Sequence, residues 1–410
     1  MNSTPTGAVT RLAPISSMLA AAVLALLLGL QPVMTDVYLP ALPALGPELG
    51  ASMAQTQLTM SVLILVFGIA QLAWGPVADR CGRRPVLLVS LSLFLVASIG
   101  AALASHIGLL IFWRGAQGAF LAAAVVCARA IVRDLYEPSQ GAHVMAKAMG
   151  GLGLIAISSP IIGGAAAAWF GWRGAMAAMA GFVVVALLVV WRALPETIPA
   201  RNPRALHLGP LAKTAAMVLR NPTFIAYTAL VSCTYGAMFS ILAGAPFAYI
   251  RTIGITPTQA GLAIAIGSVA YFSGTLWCRR LLLRHGIPGA VKRGAVFTLI
   301  GGVSMAACAT AELRSPLAVL ASHCLFSLGH GVHQPCGQAG AVGPFPQAAG
   351  VASALAGFFL ALTSFAVGLW LGEVLDERSL KPMAYTMLGL CIATCTVAWT
   401  LVQRHGHATH

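Results

Sequence analysis

The sequence predicts an all-α integral membrane protein with twelve transmembrane helices in two halves of six. Composition is the first observation, because 59% of the 410 residues are hydrophobic and 8% are charged, whereas a soluble domain has about a quarter charged residues. The second is a series of long stretches without Asp, Glu, Lys or Arg, and the third is a proline-rich polar break at residues 194–220. A soluble globular enzyme is therefore excluded.

The uncharged stretches give the individual spans, because a transmembrane helix needs about 20 predominantly apolar residues. Residues 315–372 are too long for one helix, and their glycine- and proline-rich segment 337–350 divides them into two spans. Arg114 lies inside the start of the fourth span and not in a loop. The twelve predicted spans come from stretches 12–35, 49–78, 86–113, 115–128, 148–172, 174–191, 221–250, 252–278, 294–311, 315–372 and 382–403.

The loops predict orientation and domain organisation. With both termini in the cytoplasm, eighteen Lys and Arg lie in cytoplasmic segments and five in external loops, which follows the positive-inside rule. This asymmetry explains the net charge of +14 without a nucleic-acid partner. The break at 194–220 is predicted to be a cytoplasmic linker between an N-terminal six-helix bundle (1–193) and a C-terminal one (221–410).

Two charged residues lie inside predicted spans. A carboxylate such as Asp36 costs roughly 2.5–3.5 kcal/mol there, so it is a functional candidate by default. Burial favours its neutral form and a nearby cation its ionised form, so such a group can load and release protons near neutral pH. Arg114 lies at a similar depth, and we expect the two to meet. The alternatives are an ion pair that only fixes helix packing, and an arginine that snorkels to the interface.

Other polar residues inside the spans are weaker candidates. Tyr38, Gln117 and Tyr235 are predicted to line a cavity because they are polar within apolar sequence. Asp134 lies at the cytoplasmic end of the fourth span. It is predicted to pair with Arg80 or Arg83, and the alternative is a solvated helix end.

Three residues in the tenth span have the spacing of metal ligands on one helical face. His330, His333 and Cys336 follow one another at intervals of three residues. A four-coordinate site needs further ligands that the sequence does not offer. We therefore interpret them as core or cavity residues and expect neither a metal nor another cofactor.

Four segments carry a family resemblance. They are TDVYLPALP in the first span, GPVADRCGRRP after the second, RGAQG and RAIVRDLY in the fourth, and PIIGG in the fifth. The second segment matches the loop signature G-x-x-x-D-R-x-G-R-R of the major facilitator superfamily, which a simple anchor of positive charges does not explain. Together the segments resemble the Bcr/CflA branch of drug:proton antiporters. Ser159 departs from the pattern, since the antiporter motif usually has glycine before its proline.

The resemblance implies the major facilitator fold and export of drugs such as phenicols, sulfonamides or bicyclomycin across the bacterial inner membrane in exchange for protons. It implies that Asp36 is the proton-coupling acid and that Arg114 modulates its protonation. It also assigns a cytoplasmic gate to Gly75, Asp79, Arg80, Gly82, Arg83 and Arg84, and the antiporter motif to Pro160, Gly163 and Gly164.

The expected mechanism is alternating access by two rocking halves around a central cavity. One acid with an arginine beside it favours neutral or zwitterionic substrates over dications, in a protein expected to be a monomer in the bilayer. The alternative is a transporter of the same fold for a single small metabolite. An enzyme is not expected, because the sequence offers no paired carboxylates, no nucleophile with a base and no phosphate-binding loop.

Overall fold

The computed structural model describes residues 16–198 and 208–406, and every regular element within these ranges is helical. This confirms the all-α prediction. Residues 1–15, 199–207 and 407–410 lie outside the described ranges, and with them part of the predicted linker and the basic residues Arg11 and Arg201. Arg204 lies outside them as well.

The helices follow one another as α1 (Ser17–Asp36), α2 (Leu42–Leu49), α3 (Met53–Cys81), α4 (Arg83–Ala102), α5 (Ile107–Leu135), α6 (Pro138–Ala193), α7 (Leu208–Leu219), α8 (Pro222–Phe247), α9 (Pro257–Thr310), α10 (Pro316–Val342), α11 (Ala349–Val374), α12 (Lys381–Trp399) and α13 (Leu401–His405). Short 3₁₀ turns at Leu39–Ala41 and Pro346–Ala348 precede α2 and α11, and a π turn at Ala248–Ile253 ends α8.

Local sequence explains where two of the long helices begin. Ser52 and Gln55 form a reciprocal capping box at the start of α3, and Thr256 and Gln259 form the same arrangement at the start of α9. Each box satisfies two backbone N–H groups that the first turn of a helix leaves without partners. Both helices therefore begin at polar residues immediately before an apolar run.

Two elements are longer than a membrane is thick and are broken at a glycine. α6 has 56 residues and is interrupted at Gly171, where φ is +66°. α9 has 54 residues and is interrupted at Gly286, where φ is +63°. Such φ values are costly for residues with a Cβ. Unbroken, each helix would extend about 80 Å, against a hydrocarbon core of about 30 Å.

Nine helices within the described ranges are long and apolar enough to cross a membrane, so the chain is a multi-pass membrane protein. α10 is not one of the nine, although its 27 residues include no charged side chain. Its mean hydropathy is lowered by three histidines and by glutamine and serine residues. The predicted division of 315–372 is confirmed, because α10 ends at Val342 and α11 begins at Ala349.

Helix packing joins the first half of the chain to the second. α3 packs along α11, and α6 packs along α9. The largest apolar core lies among α1 and α3–α6 and reaches Phe239 of α8 and Ala361 of α11, while two smaller cores lie among α8–α13. We call the face that carries Gly82, Gly286 and residues 194–198 the linker face. The opposite face carries α2, Gly171 and the π turn.

Candidate functional site

Arg114 is fully buried in α5 and connects three helices. Its Nε donates to the carbonyl of Thr59 on α3 at 3.2 Å, and its Nη2 donates to the carbonyl of Met34 on α1 at 3.0 Å. Its Nη1 donates to Oε1 of Gln117 at 2.9 Å, and the guanidinium carbon lies 4.3 Å from the ring centroid of Tyr38. The planar guanidinium thus satisfies acceptors in several directions at once.

Asp36 does not pair with Arg114, so the expected contact between them is wrong. Asp36 is half-buried at the end of α1, and its Oδ1 accepts a hydrogen bond from the Thr35 hydroxyl at 2.7 Å. Among the described residues, no salt bridge involves Asp36. Three N–H groups of Arg114 are instead directed to the carbonyls of Thr59 and Met34 and to the Gln117 amide oxygen.

Two of the predicted cavity residues belong to the interior of the helix bundle. Tyr38 and Gln117 are completely buried. The Tyr38 hydroxyl hydrogen-bonds to Oγ1 of Thr59 at 2.7 Å, and Gln117 donates to the Ser98 hydroxyl at 3.0 Å. Both side chains contact Arg114, and the prediction that they line a cavity stays a prediction.

Tyr235 lies where the two halves of the chain meet. Its half-buried side chain on α8 lies close to Gln31 of α1 and within electrostatic reach of Asp36. Its ring centroid is 6.1 Å from that of His330 on α10, and Tyr271 of α9 approaches the same imidazole at 5.4 Å. Gln31, Asp36 and Tyr271 are also half-buried, so four helices contribute polar or aromatic side chains to this cluster.

The histidines of α10 have different neighbours. Nδ1 of His330 hydrogen-bonds to the Thr234 hydroxyl at 3.1 Å. Nε2 of His333 lies 3.3 Å from the carbonyl of Val291, whereas Sγ of Cys336 lies 3.4 Å from Sγ of Cys278. The three residues that share metal-ligand spacing in the sequence therefore point to separate partners.

The loop between α3 and α4 is held by two acids. Arg83 has 4% of its side chain exposed, and its Nη2 lies 2.7 Å from Oδ1 of Asp79. Its Nε lies 2.9 Å from Oδ2 of Asp134 on α5. The pairing of Asp134 with Arg83, one of its two predicted partners, is confirmed. Asp134 is 10% exposed and Asp79 44% exposed, so water screens the Asp134 contact less.

Glu196 closes the same loop and was not identified from the sequence. Its Oε1 accepts the backbone N–H of Arg83 at 2.9 Å, as well as those of Thr197 and Ile198. A carboxylate at the first turn of α4 satisfies free N–H groups and favours the helix dipole. Gly82 has a φ of +104°, and a Cβ there would collide with the Glu196 carboxylate.

The remaining loop residues differ in their contacts. Nη2 of Arg84 donates to the carbonyl of Trp191 at 3.0 Å, whereas Arg80 is exposed. A Cβ on Gly75 would meet no atom of the described chain within 4 Å. Of these two motif glycines, only Gly82 has a close neighbour that a side chain would displace.

The small residues predicted in the fifth span bring α6 against two helices. A Cβ on Gly163 would collide with the carbonyl oxygen of Val37 and lie 2.7 Å from its Cα, next to Asp36. A Cβ on Gly164 would lie 2.6 Å from the carbonyl oxygen of Pro257 in α9, and the Pro160 carbonyl packs against Gly261 of α9. This face of α6 thus contacts both the start of α9 and the segment that carries Asp36.

Comparison with known proteins gives the family. The family model described as Major Facilitator Superfamily matches residues 24–369. The chain belongs to the major facilitator superfamily. A solved structure described as a D-xylose-proton symporter has the same fold, with a TM-score of 0.73 and 17% identity over 94% of this chain and 97% of that one. This superfamily member is therefore a membrane transporter and not an enzyme.

Relatives of this superfamily member are named for drug resistance. A chloramphenicol resistance protein from Pseudomonas aeruginosa is 27% identical over 364 residues, which cover 88% of this chain and 84% of the relative. A bicyclomycin resistance protein homolog from Haemophilus influenzae is 26% identical over 381 residues, covering 92% of this chain and 94% of the relative. These names agree with the resemblance to the Bcr/CflA branch.

Sequence reasoning missed Gln31 and Tyr271 of the central cluster. Gln31 is an amide inside an apolar span, which is the same signal that selected Gln117. Nothing in the sequence states that Gln31 faces α8 while Gln117 faces Arg114. Which polar residues line a cavity depends on helix rotation, and the weak periodicity of uniformly apolar spans does not specify that rotation.

Proposed function

We propose that this superfamily member is a proton-coupled multidrug efflux transporter of the bacterial inner membrane. It exports small drugs of the phenicol, bicyclomycin or sulfonamide type in exchange for protons. The observation that carries the proposal is Asp36, a half-buried carboxylate in a membrane span with no basic partner among the described residues. The names of the relatives support the substrate class.

The proposed topology is twelve spans in two bundles, at 1–193 and 221–410, with both termini and the linker at 194–220 in the cytoplasm. Two observations support it. The breaks at Gly171 and Gly286 divide α6 and α9 into two crossings each, and α10 has the length of a span. The linker face is then cytoplasmic, in agreement with its excess of Lys and Arg.

Transport proceeds by alternating access to a central site. In the inward-open state, drug binding and loss of a proton from Asp36 are coupled. After the switch, protonation from outside favours drug release. One inward proton supplies about 2.3 kcal/mol per 100 mV of membrane potential and about 1.4 kcal/mol per unit of pH difference. This energy is sufficient to concentrate a neutral drug on the outer side of the membrane. The transporter is proposed to act as a monomer.

The drug site is assigned to the cluster around Asp36, where α1, α8, α9 and α10 meet. Gln31 and Tyr235 supply hydrogen-bonding groups, while Tyr271 and His330 supply flat aromatic surfaces. Such a combination of apolar surface with a few polar groups is typical of small-molecule sites. Arg114 forms no ion pair with Asp36. It influences Asp36 through the backbone of α1, because it donates a hydrogen bond to the Met34 carbonyl.

The loop after α3 is proposed as the cytoplasmic gate. Arg83 is its centre, because Asp79, Asp134 and Glu196 all bind it. Opening this side requires the loop to move relative to α5 and residues 194–198. Arg80 and Arg84 lie at the margin of the gate, and Gly82 provides the turn that lets Glu196 reach the first turn of α4.

Drug-induced proton release in inverted membrane vesicles tests the proposal. The panel contains a phenicol, bicyclomycin and a cationic dye, applied to the wild type, Asp36→Asn and the control Asp376→Asn, which removes an exposed loop carboxylate. We expect a drug-dependent signal in the wild type and the control, and none in Asp36→Asn.

Two results contradict the proposal. If correctly inserted wild-type protein gives no signal with any compound, the chain is a transporter for a single metabolite. If Asp36→Asn gives the full signal, another group carries the proton and Asp36 is a structural residue.

A further inference from the structure

Arg251 lies at the face opposite the linker face, which is the outer face in the proposed topology. It belongs to none of the motifs assigned above. It belongs to the π turn Ala248–Ile253 that ends α8, and the turn closes at Gly254 with φ of +86°. Its Nη2 donates to the carbonyl of Pro43 at 2.6 Å. Pro43 belongs to α2, so this hydrogen bond links the C-terminal bundle to the N-terminal bundle.

The sequence of α2 leaves this carbonyl without its helical partner. In an α-helix the carbonyl of residue 43 accepts the N–H of residue 47. Residue 47 is proline, which has no N–H. Pro43 is buried, and a buried carbonyl without a donor is unfavourable. Pro47 therefore leaves the Pro43 carbonyl without its α-helical donor, and Arg251 of the C-terminal bundle supplies one.

The C-terminal bundle holds Arg251 from a second side. The Thr252 hydroxyl donates to the carbonyl of Glu377, in the loop after α11, at 2.8 Å. The Glu377 carboxylate lies 3.9 Å from Nε of Arg251. The loop after α11 and the end of α8 are thus joined, and together they direct the guanidinium toward Pro43.

The neighbouring contacts show that the two bundles are closed against each other on this side. Gln57 of α3 donates to the carbonyl of Ala243 of α8 at 2.9 Å. A Cβ on Gly372 of α11 would lie 2.9 Å from Cα of Ala54 of α3. Ser61 of α3, opposite α11, is completely buried. Opening the outer side requires all of these contacts to separate.

We propose that Arg251 is the latch of the outer gate and that Pro47 creates its acceptor. The inference rests on the alternating-access function proposed above. The hydrogen bond to Pro43 stabilises the state in which the outer side is closed, and it breaks in each cycle when that side opens. Arg251 is a positioning residue in this role, because it acts on the balance between the two states and not on the drug.

Thiol labelling from outside tests the latch. Ser61→Cys replaces a buried residue between the bundles with a reporter that differs by one atom. A membrane-impermeant maleimide is added to intact cells that carry this reporter, alone or with Arg251→Ala, Pro47→Ala or both. Arg378→Ala is the matched control, since Arg378 belongs to the same outer cavity of about 620 Å³ but is exposed. Each variant without the reporter gives the background from the native cysteines.

We expect Arg251→Ala to raise the labelling rate of the reporter roughly three- to ten-fold, because a net hydrogen bond to a charged group in a partly exposed site is lost. Pro47→Ala supplies a competing N–H, so it raises labelling by less. The double variant labels no faster than Arg251→Ala. Arg378→Ala labels at the wild-type rate.

Two results overturn the proposal. One is a labelling rate in Arg251→Ala equal to that in Arg378→Ala, and the other is full additivity of Arg251→Ala and Pro47→Ala. Size-exclusion profiles establish that each variant is folded, and Arg251→Lys replaces Arg251→Ala if the latter is not. Labelling requires no drug, so a failure of the efflux assay leaves this test readable.

Discussion

Individual charged residues illustrate what a sequence reveals about a membrane site. Asp36 and Arg114 were recognisable because an ionisable group inside an apolar span needs a compensating partner. The partner itself was not recognisable. Arg114 donates hydrogen bonds to the carbonyls of Thr59 and Met34. Among the described residues, the Asp36 side chain accepts a hydrogen bond from the Thr35 hydroxyl. Backbone acceptors carry no sequence signature, so an ion pair was the natural but wrong expectation.

Arg114→Lys tests whether the guanidinium shape matters at this position. A lysine ammonium does not reproduce three donors in a plane that reach Thr59, Met34 and Gln117 together. We expect a loss of about 2–3 kcal/mol in the free energy of unfolding. The apparent unfolding temperature in detergent is the measurement. Arg314→Lys, at an exposed position, is the control, and equal unfolding temperatures for the two variants would contradict the role assigned to Arg114.

At the scale of helices, glycines have two different uses in this fold. Gly171 and Gly286 divide long elements by adopting a positive φ. Gly163 and Gly164 instead allow close approach, as small residues do between membrane helices. The sequence singled out Gly163 and Gly164 as motif residues, but it did not identify Gly171 or Gly286. Gly75 was also assigned to a motif, yet the described neighbours leave open space around it.

Gly163→Ala and Gly181→Ala form a matched pair on α6. The first introduces a Cβ that would collide with the carbonyl oxygen of Val37, whereas the second meets no described atom within 4 Å. We expect Gly163→Ala to lose about 1–3 kcal/mol of stability through overpacking. Gly181→Ala is expected to gain up to about 1 kcal/mol from helix propensity. Thermal unfolding of both proteins measures the difference, and the same sign for both would refute the packing argument.

At the scale of the whole molecule, two features matter: the distribution of Lys and Arg, and the contacts between the two bundles. Basic residues concentrate on the linker face, which supports the proposed orientation with that face in the cytoplasm. On the outer side, Arg251 and the contacts of α3 with α8 and α11 hold the two bundles together. In the proposed topology, the structure is therefore closed on its outer side.

The membrane potential offers a test of the proposed exchange. One inward proton against one neutral drug moves a single positive charge, so a potential of 100 mV contributes about 2.3 kcal/mol. In inverted vesicles with a fixed pH gradient, collapsing the potential with valinomycin and K⁺ should slow uptake of a neutral phenicol. Exchange of one dication for one proton would instead move positive charge into the vesicle, so its uptake would become faster after the collapse. Faster uptake of the phenicol would therefore contradict the stoichiometry proposed for neutral drugs.

The sequence by itself determined that the chain is a helical membrane transporter, because hydropathy, positive charge in loops and the motif after α3 are local properties. It also located Asp36 and Arg114, and it limited the partners of Asp134 to Arg80 or Arg83, of which the structure selects Arg83. The tertiary structure decided which polar side chains face each other, among them Gln31 with Tyr235, Glu196 with α4, and Arg251 with Pro43. Those contacts depend on the rotation and docking of nearly uniform apolar helices, which neighbouring residues along the chain do not encode.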